Sequence, residues 1–293
     1  MSTDTPLVSI LTPTYNRSDF LPAAIESVLN QTYTNIEMHV VDDGSTDDTK
    51  SVMEEYLSDP RLHYYYQENQ GQSVARNKAL SHARGQFICF LDSDNLYKLD
   101  KIAAQVDFLN SNPDVAIVYG DSELINEEGK IFSRKNMERY SGMIYEKMLL
   151  DNFIGMNTAM ARRECFDELG GLDETIRVAD DYDLWLRFST RFRFHYEPIF
   201  FAEYRVMDDQ ISSDKSRRFE SNKRIIERSM AENPDLITDN YRRFVWCQYY
   251  ARRGRTHAAA GNKKEALQDY IKAIRFSFFN SRPWKDMIKL LFK

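Results

Sequence analysis

Val41-Asp42-Asp43-Gly44-Ser45-Thr46 and Leu91-Asp92-Ser93-Asp94 decide how this chain folds, because each sets paired carboxylates directly after an apolar run. The runs, Ile36 to Val41 and Phe87 to Leu91, have the length and composition of buried strands. A carboxylate at the carboxyl end of a parallel strand stands at the rim of the sheet. Open α/β sheets bind ligands there, in the crevice outside the strand ends. Two acidic clusters on one rim repel each other and oppose folding, but they suit a site that holds a divalent cation and the hydroxyls of a nucleotide.

Working outward, Val8 to Thr12, Leu62 to Tyr66 and Val115 to Tyr119 read as further strands. Between them the apolar spacing predicts helices over Ser18 to Asn30, from a Ser45 or Thr46 cap to about Leu57, over Ser73 to Ala83, and from about Leu99 to Leu109. This alternation predicts an α/β class: a mostly parallel, Rossmann-like nucleotide-binding sheet covered by helices. Further on, the pattern predicts a hairpin over Ser122 to Ser133 turning at Glu127 to Lys130, a short helix over Ile144 to Leu150, and a strand over Asn157 to Arg162. A helix over Asp180 to Thr190 and strands over Phe192 to Tyr196 and Ile199 to Arg205 follow.

From Lys215 the pattern is helical. Gly254 to Phe276, broken at Gly261-Asn262, is similar to a single tetratricopeptide-like unit, which cannot bury its own face and must pack on something else. Pro283 to Lys293 sets Trp284, Met287, Ile288 and Leu291 on one side and Lys285, Lys289 and Lys293 elsewhere. Such a helix either covers a core or lies on a membrane.

The 293 residues suffice for a large domain with an appendage or for two small domains, and 42% hydrophobic with 29% charged residues is ordinary for a soluble globular chain. No apolar stretch approaches the roughly 20 residues that span a bilayer, and the first six residues lack the features of a signal peptide. Three scattered cysteines fit no metal spacing and read as reduced thiols of a cytoplasmic protein. The net charge of −6 is unevenly spread: residues 1–214 carry 20 Lys+Arg against 37 Asp+Glu, a net of −17, and residues 215–293 carry 19 against 8, a net of +11. The expected division is therefore an acidic α/β domain over 1–214 and a basic helical extension over 215–293. That extension either docks on the acidic body or contacts an anionic lipid or acceptor.

Pro13 and Tyr15, at the end of the first strand, can wall a flat base. Asp43 can accept a hydrogen bond from a base N–H, although a capping turn explains the same residues. In Asn69 to Asn77, a loop entering a helix, Arg76 can pair with a diphosphate and Gly71 lets the backbone approach a ligand. Asp92 and Asp94 can share Mg2+ or Mn2+ or divide between metal and ribose. Asp180, Asp181 and Asp183 open a helix: Asp183 pairs with Arg187 at i, i+4, and the adjacency of Asp180 and Asp181 should raise one pKa, which suits a general base acting on a sugar hydroxyl.

Together these motifs resemble the family-2 glycosyltransferases of GT-A-type fold, from about Leu7 to Ser213. The resemblance rests on Pro-Thr-Tyr-Asn at 13–16, Val-Asp-Asp-Gly-Ser at 41–45, Ala-Arg-Asn at 75–77, Leu-Asp-Ser-Asp at 91–94, Leu-Gly-Gly-Leu-Asp-Glu at 169–174 and Asp-Asp-Tyr-Asp-Leu-Trp-Leu-Arg at 180–187. It implies an inverting transfer from a nucleotide-diphosphate sugar, usually of UDP, to a hydroxyl of a glycan or lipid-linked acceptor in surface polysaccharide or glycoconjugate synthesis. The implied site has Pro13, Tyr15 and Asp43 on the nucleoside, Arg76 and Asp180 on the nucleotide-sugar, and Asp92 on ribose or donor sugar. Asp94 would bind Mn2+ or Mg2+, Asp181 would be the catalytic base, and Gly170 and Gly171 would shape the acceptor pocket. No nucleic acid is expected, and the expected location is cytoplasmic, at the inner face of the cell membrane if the basic segment touches it. One departure stands out: where relatives carry a histidine after a Tyr-Arg segment, Tyr204-Arg205-Val206 leads to Met207, a poor ligand for a hard ion, so metal affinity or closure of the Asp208 to Ser213 loop should differ, with water or Asp208 as substitute.

Two other classes compete. A sugar nucleotidyltransferase would want a Gly-rich phosphate loop near the first strand, and Thr12 to Arg17 has no glycine. A catalytically silent relative would be expected to lack Asp94 or Asp181, and both are present. A dinucleotide-binding oxidoreductase is disfavoured because no G-x-G-x-x-G follows a strand.

Overall fold

The computed structural model describes residues 5–134, 137–207 and 215–291. Its strands are β1 (Val8–Thr14), β2 (Ile36–Asp42), β3 (Leu62–Tyr66), β4 (Phe87–Phe90), β5 (Leu96–Tyr97), β6 (Ile117–Ile125), β7 (Ile131–Arg134), β8 (Met160–Arg162) and β9 (Phe194–Arg205). Its helices are α1 (Leu21–Leu29), α2 (Thr49–Tyr56), α3 (Gln72–His82), α4 (Lys101–Ser111), α5 (Tyr145–Met148), α6 (Arg163–Leu169), α7 (Asp180–Phe188), α8 (Lys215–Glu232), α9 (Asp239–Ala259), α10 (Lys263–Phe276) and α11 (Ser281–Leu291). The chain divides into two compact units, Met1–Ile144 with Phe153–Arg218, and Tyr145–Asn152 with Phe219–Lys293.

The first unit is built on one sheet of order β3-β2-β1-β4-β8-β6-β9-β5, with β7 pairing β6. The strands β3, β2, β1 and β4 are parallel throughout, and beyond them β8 runs antiparallel to both β4 and β6. In register, Thr14 lies opposite Asp42, and Asp42 opposite Tyr66, so the carboxyl ends of three strands finish level. Leu11 lies opposite Phe90, so Asp92 and Asp94 emerge onto the same rim just beyond β4. On one face, Ile10, Met38, Val40 and Cys89 pack with Ile25 and Val28 of α1 and Val106 and Leu109 of α4. On the other, α3 packs against β1 and β2.

Several elements differ from the sequence expectation for identifiable reasons. Neither Ser45 nor Thr46 caps α2: Asp47 takes that work, its Oδ1 accepting from Thr49 N at 3.1 Å, while Ser45 Oγ accepts from Asn16 N at 2.9 Å. Asn157 to Arg162 is not all strand, because Thr158 Oγ1 donates to Gly155 O at 2.8 Å and holds Met156–Thr158 in a 3-10 turn before β8. The two late strands are one: β9 runs from Phe194 to Arg205 with its register to β6 shifting beyond Tyr196, around Pro198, which has no N–H for the ladder. The short strand β5 and helix α6 carry no periodicity long enough to flag them.

The second unit is helical. Ala266 and Tyr270 of α10 pack with Ala258 of α9 and with Met287 and Leu290 of α11. A Cβ on Gly254 would lie 2.7 Å from the Tyr270 ring, so this helical glycine lets α9 and α10 approach. Buried Asp269 accepts from Arg253 Nε at 2.7 Å and Nη2 at 2.8 Å, tying the same two helices. Among the described residues no helix is long and apolar enough to cross a membrane.

Glu37 on β2 anchors the amino-terminal side of the first sheet. Buried in the sheet, it accepts from Ser9 Oγ at 2.7 Å, Arg84 N at 2.6 Å and Arg84 Nη2 at 2.9 Å, with His39 Nε2 at 3.3 Å. Burial alone would raise its pKa, but the bonds from Arg84, Ser9 and His39 outweigh it and hold the carboxyl down at about 2. A depressed folded-state pKa contributes stability above the unfolded-state value, and that stability is lost as pH falls toward the folded value. Here a fall from 4.5 to about 2 corresponds to about 3 kcal/mol. Glu37→Gln is therefore expected to lower the urea midpoint at neutral pH, and its stability should decline less than the parent's as pH falls from about 5 to about 2. Equal acid sensitivity in the two proteins would contradict this.

Candidate active site

Two residues on the rim have left-handed backbone without being glycine: Asn16 with φ of 51° and Ala179 with φ of 65°. Asparagine tolerates that region; alanine does so at a cost of order 1 kcal/mol. Asn16 joins the ends of β1 and β2, its Oδ1 accepting from Thr46 N at 2.8 Å. Ala179 immediately precedes α7 and sets the direction in which Asp180 and Asp181 leave it.

The Asp43 carboxylate is buried and mostly satisfied. Oδ1 accepts from Gln67 Nε2 and Gln70 N, both at 2.8 Å, and Oδ2 from Gly71 N at 2.7 Å. Three of roughly four acceptor positions are filled, which leaves one on Oδ2. Gly44 makes the turn behind it: φ is 84°, and a Cβ would lie 2.8 Å from Asn69 N. Pro13 is buried on β1 opposite Val41, and Tyr15 is exposed at 47%.

Arg76 of α3 organises the rest. Its Nη2 donates to Asp92 Oδ1 and its Nη1 to Asp180 Oδ2, both at 2.6 Å, and its side chain is only 5% exposed. Each acid has further donors. Asn157 Nδ2, at 3.0 Å, and Asn95 Nδ2, at 3.3 Å, reach Asp92 Oδ2, and Asn157 Oδ1 accepts from Asp92 N at 2.7 Å. Asp180 accepts from Gln72 Nε2 at 2.9 Å and Ser73 Oγ at 3.1 Å. The next residue of α3, Asn77, clamps the 169–174 loop by donating to Leu172 O and accepting from Leu172 N, at 2.8 and 2.9 Å. From α7, Arg187 pairs with Asp183 at 2.9 Å and donates to Leu169 O and Gly171 O.

Arg76 thus fixes the first acid of each rim pair. The second acids have raised pKa values. Burial, and then the neighbouring Asp92, push Asp94 up to about 6 against the opposing pull of Arg17 and Arg205. Burial, and then Asp180, raise Asp181 against Arg218, the Tyr182 N–H and Arg76. The Arg17 guanidinium is 3.8 Å from Asp94 Oδ2, and Arg205 donates to the Asp94 carbonyl rather than to its carboxylate. Asp94 therefore presents negative charge that the protein has not fully neutralised, a donor suited to a hard divalent ion.

A sequence profile described as Glycosyl transferase family 2 matches residues 9–170. The chain is also 36% identical over 214 residues to Bacillus subtilis TuaG, named as a teichuronic acid biosynthesis glycosyltransferase, covering 72% of this chain and 83% of TuaG. It belongs to glycosyltransferase family 2. It is 36% identical over 187 residues to Escherichia coli WfgD, a UDP-Glc:alpha-D-GlcNAc-diphosphoundecaprenol beta-1,3-glucosyltransferase, covering 62% of this chain and 70% of WfgD. Other relatives are much longer: the chain spans 26% of a Rickettsia bellii glycosyltransferase to which it is 35% identical. In fold it is similar to S. aureus TarS 1-349 in complex with UDP-GlcNAc, with a TM-score of 0.72 at 17% identity over 98% of this chain and 89% of that one. It is similar also to the Pyrobaculum calidifontis mannosyltransferase PcManGT in complex with GDP-Man and Mn2+, with a TM-score of 0.64 at 21% identity over 99% of this chain and 86% of that one.

Within this family-2 site, Asn157, Asn95, Gln67 and Gln72 escaped sequence reading. Each is an amide far along the chain from its carboxylate or embedded in ordinary polar sequence, and only the fold brings Asn157 to Asp92. Met207 is buried, and the Asp208 to Ser213 loop lies outside the described residues. Removing Arg76 would leave Asp92 and Asp180 facing each other without their cation, so Arg76→Met is expected to destabilise the chain by about 3–5 kcal/mol in urea unfolding. Asp180→Asn should cost less in that background than in the parent, by about 1 kcal/mol or more. Additive costs would mean that Arg76 and Asp180 do not act as a pair.

Proposed function

We propose that this chain is a metal-dependent, inverting glycosyltransferase that takes a sugar from a UDP-sugar and passes it to a hydroxyl of a glycan or lipid-linked acceptor in surface polysaccharide synthesis. The observation that carries the reading is the division made by Arg76: Asp92 and Asp180 are fixed in position, while Asp94 and Asp181 carry raised pKa values. Activity toward UDP-glucose and an undecaprenol-linked acceptor, named for WfgD, and the UDP-GlcNAc of the TarS complex support the choice of donor and acceptor class. The GDP-mannose of PcManGT keeps a GDP-sugar as the second reading. Residues 1–214 carry the catalysis in this reading, and 215–293 are a basic extension. Free, buried Cys89, Cys165 and Cys247 fit a reducing, cytoplasmic setting.

Pro13 and Tyr15 wall the base, and the remaining acceptor position on Asp43 takes a base N–H. Asp92, held by Arg76, Asn95 and Asn157, presents a fixed edge to the ribose or donor sugar. Asp94 would hold Mn2+ or Mg2+ together with diphosphate oxygens, and such an ion, when bound, stabilises charge on the departing diphosphate. Asp181 takes the proton of the acceptor hydroxyl. The hydroxyl oxygen forms the new bond to the anomeric carbon as the bond from that carbon to the diphosphate breaks on the opposite face, inverting the centre. Arg76 and Asp180 are positioning residues: the guanidinium that sequence alone offers to the diphosphate is committed to carboxylates, and Asp180 holds the start of α7 so that Asp181 is aimed.

Asp181→Asn is expected to abolish sugar transfer while UDP still binds with nearly parental affinity in calorimetry; loss of both would remove Asp181 from the role of base. Asp94→Ala should erase the part of UDP affinity that depends on Mn2+, and an unchanged metal dependence would contradict the assignment. A base with a raised pKa stays protonated, and so inactive, to higher pH. The acid limb of kcat/KM should therefore lie above the ordinary aspartate value of about 4, with the rate rising as pH increases through it.

A further inference from the structure

We infer that the turn and last helix of the second unit, Phe278 to Leu291, form a docking surface for an anionic lipid bilayer. Such a surface would serve whichever sugar is moved.

The inner side of α11 is satisfied. Pro283 and Leu290 are buried, and Met287 packs with Ala266 and Tyr270. The outer side is not what a solvated helix presents. Trp284, Ile288 and Leu291, spaced four and three residues apart, form one stripe along the helix. Ile288 and Leu291 are exposed, and Trp284 is half-buried. The stripe continues into the preceding turn, where Phe278 packs edge-on against the Trp284 ring and Phe279 stands 96% exposed. Leaving such a ring in water forgoes the favourable burial of its apolar surface. A contiguous outward group of large apolar side chains is the mark of an interaction surface.

Charge identifies the occupant. Arg282, Lys285 and Lys289, spaced three and four apart, form a second exposed stripe beside the first. The sole acid of α11, Asp286, is turned inward onto Arg255 Nη1 at 3.0 Å and cancels none of it. The whole segment 215–293 carries 19 basic residues against 8 acidic ones. An apolar aromatic edge flanked by cations of one sign matches a bilayer, whose acyl boundary takes the rings while its phosphates take the ammonium and guanidinium groups. At 11 residues the helix is far too short to span a bilayer, so it lies in the interface plane.

The test is sedimentation of the full chain with phosphatidylcholine vesicles, with and without about 30 mol% phosphatidylglycerol. At low salt, binding to the anionic vesicles should be at least tenfold tighter than to the neutral ones and should fall as salt is added. Phe279→Ser with Ile288→Ser, and separately Lys285→Glu with Lys289→Glu, should each lower it at least fivefold. All four side chains are exposed, so circular dichroism and thermal midpoint should not change. Failure of the parent chain to sediment with anionic vesicles, or binding indifferent to both double variants, would overturn the proposal. So would concentration-dependent self-association without lipid that Phe279→Ser with Ile288→Ser abolishes, since the surface would then belong to a second copy of the chain.

Discussion

A guanidinium shut away from water between two carboxylates is the interaction on which the rim of the first unit depends. Arg76 comes from α3, Asp92 from the segment after β4, and Asp180 from the start of α7, so one side chain fastens three elements that are distant in sequence. Burial of charge is costly, and it is tolerated only when geometry and further hydrogen bonds compensate it. Here Asn95, Asn157, Gln72 and Ser73 supply those bonds. The neighbouring Asn77 fastens the 169–174 loop in the same way, so the Ala-Arg-Asn motif is a pair of clamps on consecutive residues of one helix.

The arrangement solves an electrostatic problem posed by the sequence. Four acids converge on one rim and cannot all remain charged without compensation. Arg76 bonds the first member of each pair, its one positive charge shared between two carboxylates, and the second members have raised pKa values. Asp94, pushed up to about 6, and Asp181, pushed above the ordinary range, are the two acids to which the proposed function gives the cation and the acceptor's proton. Ala179, left-handed with φ of 65°, is the residue directly before α7, whose first residue, Asp180, meets Arg76.

Much of this was legible in the chain itself. Strands rich in apolar, β-branched and aromatic residues stand out from the helical spacing around them, so β1 to β4 and the acids after β2 and β4 could be placed from residues 8–94 alone; the i, i+4 pair of Asp183 and Arg187 was equally legible. Less accessible was anything decided by partners remote in sequence. The sequence offers Arg76 to a diphosphate but does not show that Asp180, 104 residues away, is brought against it. Asn157 looks like the start of a strand until its amide meets Asp92. An element of two residues, such as β5, is too short for periodicity to register, and the β9 bulge at Pro198 makes one strand read as two. The outward stripe of α11 was visible as amphipathicity, but which part faced inward required the packing of Met287 and Leu290.

Arg76 is occupied by carboxylates, and the proposed function gives the metal to Asp94. The direct measurement is a crystal structure with Mn2+ and UDP bound, with the ion located by its anomalous scattering. The expected result is an anomalous peak against the Asp94 carboxylate, with Arg76 still bonded to Asp92 and Asp180. A peak against Asp92, with Arg76 swung from the two acids onto the diphosphate, would contradict it.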